Sequence, residues 1–66
     1  MTVTLNGEAK RLTEGVTLQD LVRELALEKH AIAVELNRSV VPKDRYAATR
    51  LAEGDRLEIV TLVGGG

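Results

Sequence analysis

One stretch of this chain carries sustained helical periodicity, and segments of alternating character stand on both sides of it. Leu18, Leu21, Val22 and Leu25 fall at i, i+3, i+4 and i+7, the spacing that gathers apolar side chains on one helix face. The start of the helix is marked. Thr17 stands where an N-cap is needed, Asp20 three residues later completes a variant of the capping box, and Val16 and Leu21 hold the two positions of a hydrophobic staple. The helix is expected to end between Leu25 and Leu27, with Lys29 and His30 beyond it suiting the negative end of its dipole. A lone amphipathic helix must bury its stripe against another layer, so the flanking segments decide the fold.

Those segments read as strands. Val3 and Leu5 alternate with Thr2 and Thr4, and Asn6-Gly7 follows, a pair that tolerates positive φ and joins antiparallel strands tightly. The return strand is expected over residues 8–13, with Leu12 facing inward, before Glu14-Gly15 breaks the pattern. After the helix, Ile32, Val34 and Leu36 alternate, Asn37-Arg38 is a turn, and Ser39 to Val41 form a short strand that Pro42 ends, since proline has no amide to donate to a ladder. Lys43 to Thr49 reads as a helical or 3₁₀ turn with Tyr46 toward the core, Glu53-Gly54-Asp55 as a turn, and residues 56–63 as the last strand. The order ββαβββ describes an α+β fold: a mixed sheet with one main helix packed on one face and the first and last strands paired in the centre. That is the β-grasp architecture of ubiquitin-like proteins. It gives one domain over residues 1–63 and a flexible glycine tail over residues 64–66.

At 66 residues the domain buries only about 60% of the surface its unfolded chain exposes. Small chains often add disulfides or a metal. This sequence has no cysteine and only one histidine, His30, so neither route is open, and no metal site is expected. Ten Leu, eight Val and two Ile must carry the core. The nine Lys and Arg are scattered, which argues against nucleic acid. No apolar run approaches the ~20 residues of a membrane span, and the N-terminus lacks the regions of a signal peptide. A soluble, cytoplasmic protein, monomeric when free, is expected.

No catalytic residue stands out. Ser39 is the only serine, and nothing in the pattern brings it to His30. Asp44, Glu53 and Asp55 sit in turn contexts. Asp20, Glu24 and Glu28 repeat every fourth residue and read as a solvated helix face, or else as a docking stripe for a basic partner. There is no phosphate-binding P-loop. The last strand says more. Leu57, Ile59, Thr61 and Val63 should face the helix, which leaves Glu58, Val60 and Leu62 on the other side. Val60 and Leu62 therefore mark a candidate docking patch beside Gly64-Gly65-Gly66. Without Cβ atoms, such a run can thread a channel too narrow for other residues.

Taken together, the residues resemble the ThiS family, the small sulfur carriers of thiamine biosynthesis. The carrying segments are Asn6-Gly7, Gly15-Val16-Thr17-Leu18 entering Leu21-Val22, Ala33-Val34-Glu35-Leu36-Asn37, Val40-Val41-Pro42-Lys43 and Glu53-Gly54-Asp55-Arg56-Leu57-Glu58-Ile59-Val60, with the glycines after them. Tyr46 departs from the tryptophan more usual there. The resemblance implies a protein cosubstrate rather than an enzyme. An E1-like adenylyltransferase would use Mg-ATP to adenylate the Gly66 carboxylate, Gly64 and Gly65 would thread the partner's active site, and a sulfur donor system would convert the adenylate to a thiocarboxylate. Thiazole synthase would then receive the sulfur. The chain itself would bind no cofactor. The small subunit of molybdopterin synthase, a ubiquitin-like modifier and a TGS-like binding module share the fold and stand as alternatives.

Overall fold

The computed structural model describes residues 1–62. The expected domain boundary at residue 63 and the glycines Gly64, Gly65 and Gly66 lie outside the described residues. Five strands and two helical elements follow in the order β1 (Thr2–Leu5), β2 (Glu8–Arg11), α1 (Leu18–Glu24), β3 (Ile32–Leu36), β4 (Ser39–Val40), a 3₁₀ helix (Lys43–Ala48) and β5 (Arg56–Thr61). The sheet runs β2-β1-β5-β3-β4. β1 and β5 pair in parallel at its centre, and the other neighbours are antiparallel. This is the α+β β-grasp arrangement read from the sequence. β2 is shorter than expected, but the Leu12 amide still donates to the Met1 carbonyl at 2.8 Å, and Leu12 turns into the core as the alternation requires.

The helix forms where its caps place it. The Asp20 amide donates to Thr17 Oγ1 at 3.1 Å and the Thr17 amide to Asp20 Oδ2 at 2.9 Å, a reciprocal capping box. That amide holds the Asp20 carboxyl below its ordinary pKa. Leu18, Leu21 and Val22 bury one face of α1 against Val3, Val34, Leu57 and Ile59 from the three central strands. Leu51 joins this core from the loop after the 3₁₀ helix. Its amide donates to the Val16 carbonyl at 3.0 Å, and the Leu18 amide donates to the Thr49 carbonyl at 2.8 Å, so that loop also satisfies a donor left open by the first helical turn.

The helix stops without glycine. The Leu27 amide reaches the Val22 carbonyl and the Ala26 amide the Arg23 carbonyl, both at 3.0 Å, which is a Schellman motif with Ala26 in the left-handed position at φ 59°. An L-residue there costs about 1–2 kcal/mol. Glycine removes that cost and gives back about 0.5–1 kcal/mol through its freer unfolded chain. Ala26→Gly is therefore expected to raise stability by up to about 1 kcal/mol, read as a higher denaturation midpoint. An unchanged or lower midpoint would mean that the turn relaxes at no cost.

Two asparagines tie the central strand to its neighbours. Asn6 and Gly7 both have positive φ, 50° and 83°, as a two-residue type I′ hairpin demands. The Asn6 side chain then continues the parallel ladder where the backbone has turned away. Its Nδ2 donates to the Ile59 carbonyl at 3.1 Å, and its Oδ1 accepts from the Ile59 amide at 2.9 Å. Asn37 does the same across the sheet: at φ 50° in the β3–β4 turn, its Oδ1 accepts from the Arg56 amide at 2.9 Å. Asn6→Gly keeps the turn and loses both side-chain bonds, so a loss of about 1–3 kcal/mol is expected at roughly 0.5–1.5 kcal/mol per bond. Urea denaturation measures it, and a wild-type midpoint would show that water replaces the amide.

Candidate functional site

With α1 covering one face, the other face of the sheet has no layer over it among the described residues. Along β5, Leu57 and Ile59 point into the core, while Arg56, Glu58 and Val60 point outward. Thr61, expected on the helix side, is exposed: it lies on the inward alternation but at the strand's last residue. Leu62 stays tied to the sheet through its amide, which donates to the Ala31 carbonyl at 2.8 Å. Val60 is 54% exposed and Leu62 53%, on the outer side where the alternation puts them. Register places Ala33 opposite Val60 and Glu35 opposite Glu58, and on the next strand Val40 opposite Glu35. Val40, 72% exposed, adds an aliphatic side chain to this face on the edge strand, in the row of Glu35 and Glu58. Its direction is not legible in the sequence, because the doublet Val40-Val41 leaves the inward residue undecided. The register with β3 decides it: Glu35 faces out, so its partner does too.

Beside the apolar residues lies a small depression of about 120 Å³ lined by Glu35, Arg38, Arg56 and Glu58. Two carboxylates directly opposed on neighbouring strands repel. Neither makes an ion pair within 4.0 Å among the described residues. The outer face therefore combines exposed aliphatic surface with a mixed charged patch, two carboxylates and two guanidiniums that form no close ion pair among the described residues.

The other candidates separate. Ser39 registers with Leu36 at the end of β3, whereas exposed His30 precedes that strand's start. The helix carboxylates are engaged within the chain: Lys10 meets Glu24 at 3.0 Å, and Arg23 meets Glu28 at 3.2 Å and Asp20 at 3.9 Å. The solvated-face reading of that stripe accounts for it. Glu53 Oε1 accepts from the Thr2 amide at 2.9 Å, and Asp55 accepts from the Ala52 amide at 2.8 Å and from Asn37 Nδ2 at 3.0 Å, so both acids hold turns and strand ends in place. Among the described residues no three of His, Asp and Glu come together as metal ligands, and no helix is long and apolar enough to cross a membrane.

Comparison with known proteins agrees with this architecture. The ThiS family matches residues 3–66, through the glycines. A sulfur carrier protein ThiS of Bacillus subtilis is 40% identical over 63 residues, covering 94% of this chain and 96% of that protein. A thiazole synthase of Paramagnetospirillum magneticum is 39% identical over 66 residues, which is all of this chain but 20% of that protein. The chain thus spans about a fifth of the length of the thiazole synthases it matches. The crystal structure of the thiamine biosynthesis protein ThiS from Geobacter metallireducens superposes with a TM-score of 0.85 at 29% identity, covering both chains completely. A family match over nearly the whole sequence, on the same fold and at the same length as the small carriers, leads to one conclusion: the chain belongs to the ThiS family.

Proposed function

We propose that this chain is a sulfur carrier for thiamine biosynthesis and that the Gly66 carboxylate is its working group. The observation that carries the reading is the family match running through the final glycines of a β-grasp domain. A carboxylate is a poor electrophile. Attack of its oxygen on the α-phosphorus of Mg-ATP, bound by an E1-like adenylyltransferase, releases pyrophosphate and leaves an acyl-adenylate. Sulfur delivered at the sulfide level by a donor system then attacks the acyl carbon, and AMP leaves with the C–O bond electrons to give the thiocarboxylate, a soft nucleophile that is ionised at neutral pH. Thiazole synthase accepts that sulfur, a pairing supported by relatives in which the matching domain and the thiazole synthase are one chain. The carrier contributes no acid or base to these steps. It supplies a recognisable body and a narrow glycine end, Gly64-Gly65, on which the reacting group enters another protein. The test is ATP–pyrophosphate exchange: the chain should stimulate exchange by the adenylyltransferase encoded beside the thiamine genes of its own organism. An enzyme competent with another carrier but silent with this one would contradict the assignment.

Val60 and Leu62 form the docking patch for that adenylyltransferase in this reading, with Val40 beyond them. Leu62→Glu places a charge in the patch without touching the buried core. It is expected to weaken binding about tenfold or more, since every ~1.4 kcal/mol is a factor of ten, and to leave the thermal melt unchanged. Titration calorimetry and a melt read the two effects separately. A parallel loss of folding would place Leu62 in the core.

A further inference from the structure

On the helix side of the sheet, a cavity of about 280 Å³ opens between the end of α1, the start of β3 and the 3₁₀ helix. Val22, Leu27, Ile32 and Tyr46 give it an apolar floor, with His30 and Lys43 at its rim. The volume lies just below the ~300–1,000 Å³ of small-molecule pockets and suits one inserted side chain.

Two groups there have no partner among the described residues. Tyr46 is only 3% exposed. Its hydroxyl makes no hydrogen bond to the described residues, yet it is not sealed from solvent. Burial raises the phenol's pKa, so the group stays an O–H donor at neutral pH. The charged residues differ in the same way. Glu28 is occupied by Arg23 at 3.2 Å, whereas Lys43 meets no carboxylate within 4.0 Å among the described residues. An apolar floor, an unused hydroxyl donor and an uncompensated cation call for an apolar group with an oxygen acceptor and a carboxylate beside it.

The cavity also lies beside the last of the described residues. Ile32 registers with Thr61, the Ala31 carbonyl accepts from the Leu62 amide at 2.8 Å, and both Ala31 and Ile32 line the cavity. A protein that takes the residues beyond Leu62 into its own active site must close around this point. The outer patch and the cavity therefore flank the end of β5 on opposite faces of the sheet.

We propose that the cavity docks an apolar side chain of thiazole synthase, with a carboxylate of that enzyme on Lys43 and a backbone or side-chain oxygen accepting from Tyr46. This rests on the reading that the chain serves thiazole synthase. It assigns the helix side to that enzyme and leaves the outer patch to the adenylyltransferase. Binding needs no sulfur on the carrier, so the test uses the unmodified chain. Affinities for both enzymes are measured with wild type, Lys43→Glu, Lys43→Arg and Tyr46→Phe. Lys43→Glu should weaken binding to thiazole synthase about tenfold, as reversing a charge against a carboxylate does, and Lys43→Arg should restore it. Tyr46→Phe should weaken it about threefold, the loss of one hydrogen bond. Affinity for the adenylyltransferase and the melting temperature should not move. Unchanged affinity of Lys43→Glu for thiazole synthase, or equal losses toward both enzymes, would overturn the cavity assignment alone. No binding of the wild-type chain to thiazole synthase would overturn it together with the pairing on which it rests.

Discussion

Deleting Gly66, or adding one alanine after it, is expected to abolish acyl-adenylate formation while leaving the domain as stable as before. The proposed adenylation requires an α-carboxylate at a fixed distance from a body held by the proposed docking patch. Gly64 to Gly66 span about 10 Å when extended, at ~3.3–3.6 Å per residue. Removing one residue shortens the reach by about 3.5 Å, and a misplacement of ~1 Å can already cost a hundredfold in rate. The added alanine moves the carboxylate outward and sets a methyl group beside it. Among the described residues no buried core residue lies beyond Ile59, so neither change is expected to lower the melting temperature. Both variants should still bind the adenylyltransferase and fail in ATP–pyrophosphate exchange. Full exchange by both would leave the glycines without a role in the chemistry.

The largest effect on stability is expected in the core. Leu21 is 1% exposed and lies in the core formed by α1 and the central strands. Truncating a buried leucine costs about 2–5 kcal/mol, and a core of this size supplies only ~3–5 kcal/mol. With no disulfide to hold the chain, Leu21→Ala should be largely unfolded at growth temperature. Circular dichroism melts and amide chemical-shift dispersion would show it. A cooperative melt at the wild-type temperature would contradict the helix register. The two predictions separate folding from chemistry, since one variant should lose the fold and the other only the reaction.

The features set by local chemistry were legible in the sequence. Thr17 and Asp20 form the capping box, Asn6-Gly7 makes the tight hairpin, and the alternation along β5 buries Leu57 and Ile59 while exposing Val60 and Leu62. What was not legible depends on partners distant in sequence. Leu51 lies in a loop, and its burial follows from pairing with Val16, which no periodicity announces. Val40 needs the β3–β4 register before its direction is fixed. The helix end at Ala26 lacks the glycine that usually signals it. The two side-chain bonds of Asn6 join residues 53 apart in the chain, so its reason for being asparagine rather than glycine appears only in the sheet. The cavity beside Tyr46 is assembled from three elements and leaves no contiguous motif.

The absence of cysteine makes the central claim unusually easy to test. A chain without a thiol should not react with a thiol-selective alkylating agent at neutral pH, whereas a thiocarboxylate should. The measurement is intact mass after alkylation of the chain incubated with its adenylyltransferase, Mg-ATP and a sulfur donor. Sulfur in place of oxygen nearly matches the mass of an oxidised Met1, and the alkyl adduct removes that ambiguity. The account predicts a single adduct, located on the C-terminal fragment containing Gly66, that requires ATP and is absent from the Gly66 deletion. A chain that gains no adduct beside a control carrier that does, or an adduct that survives deletion of Gly66, would contradict it.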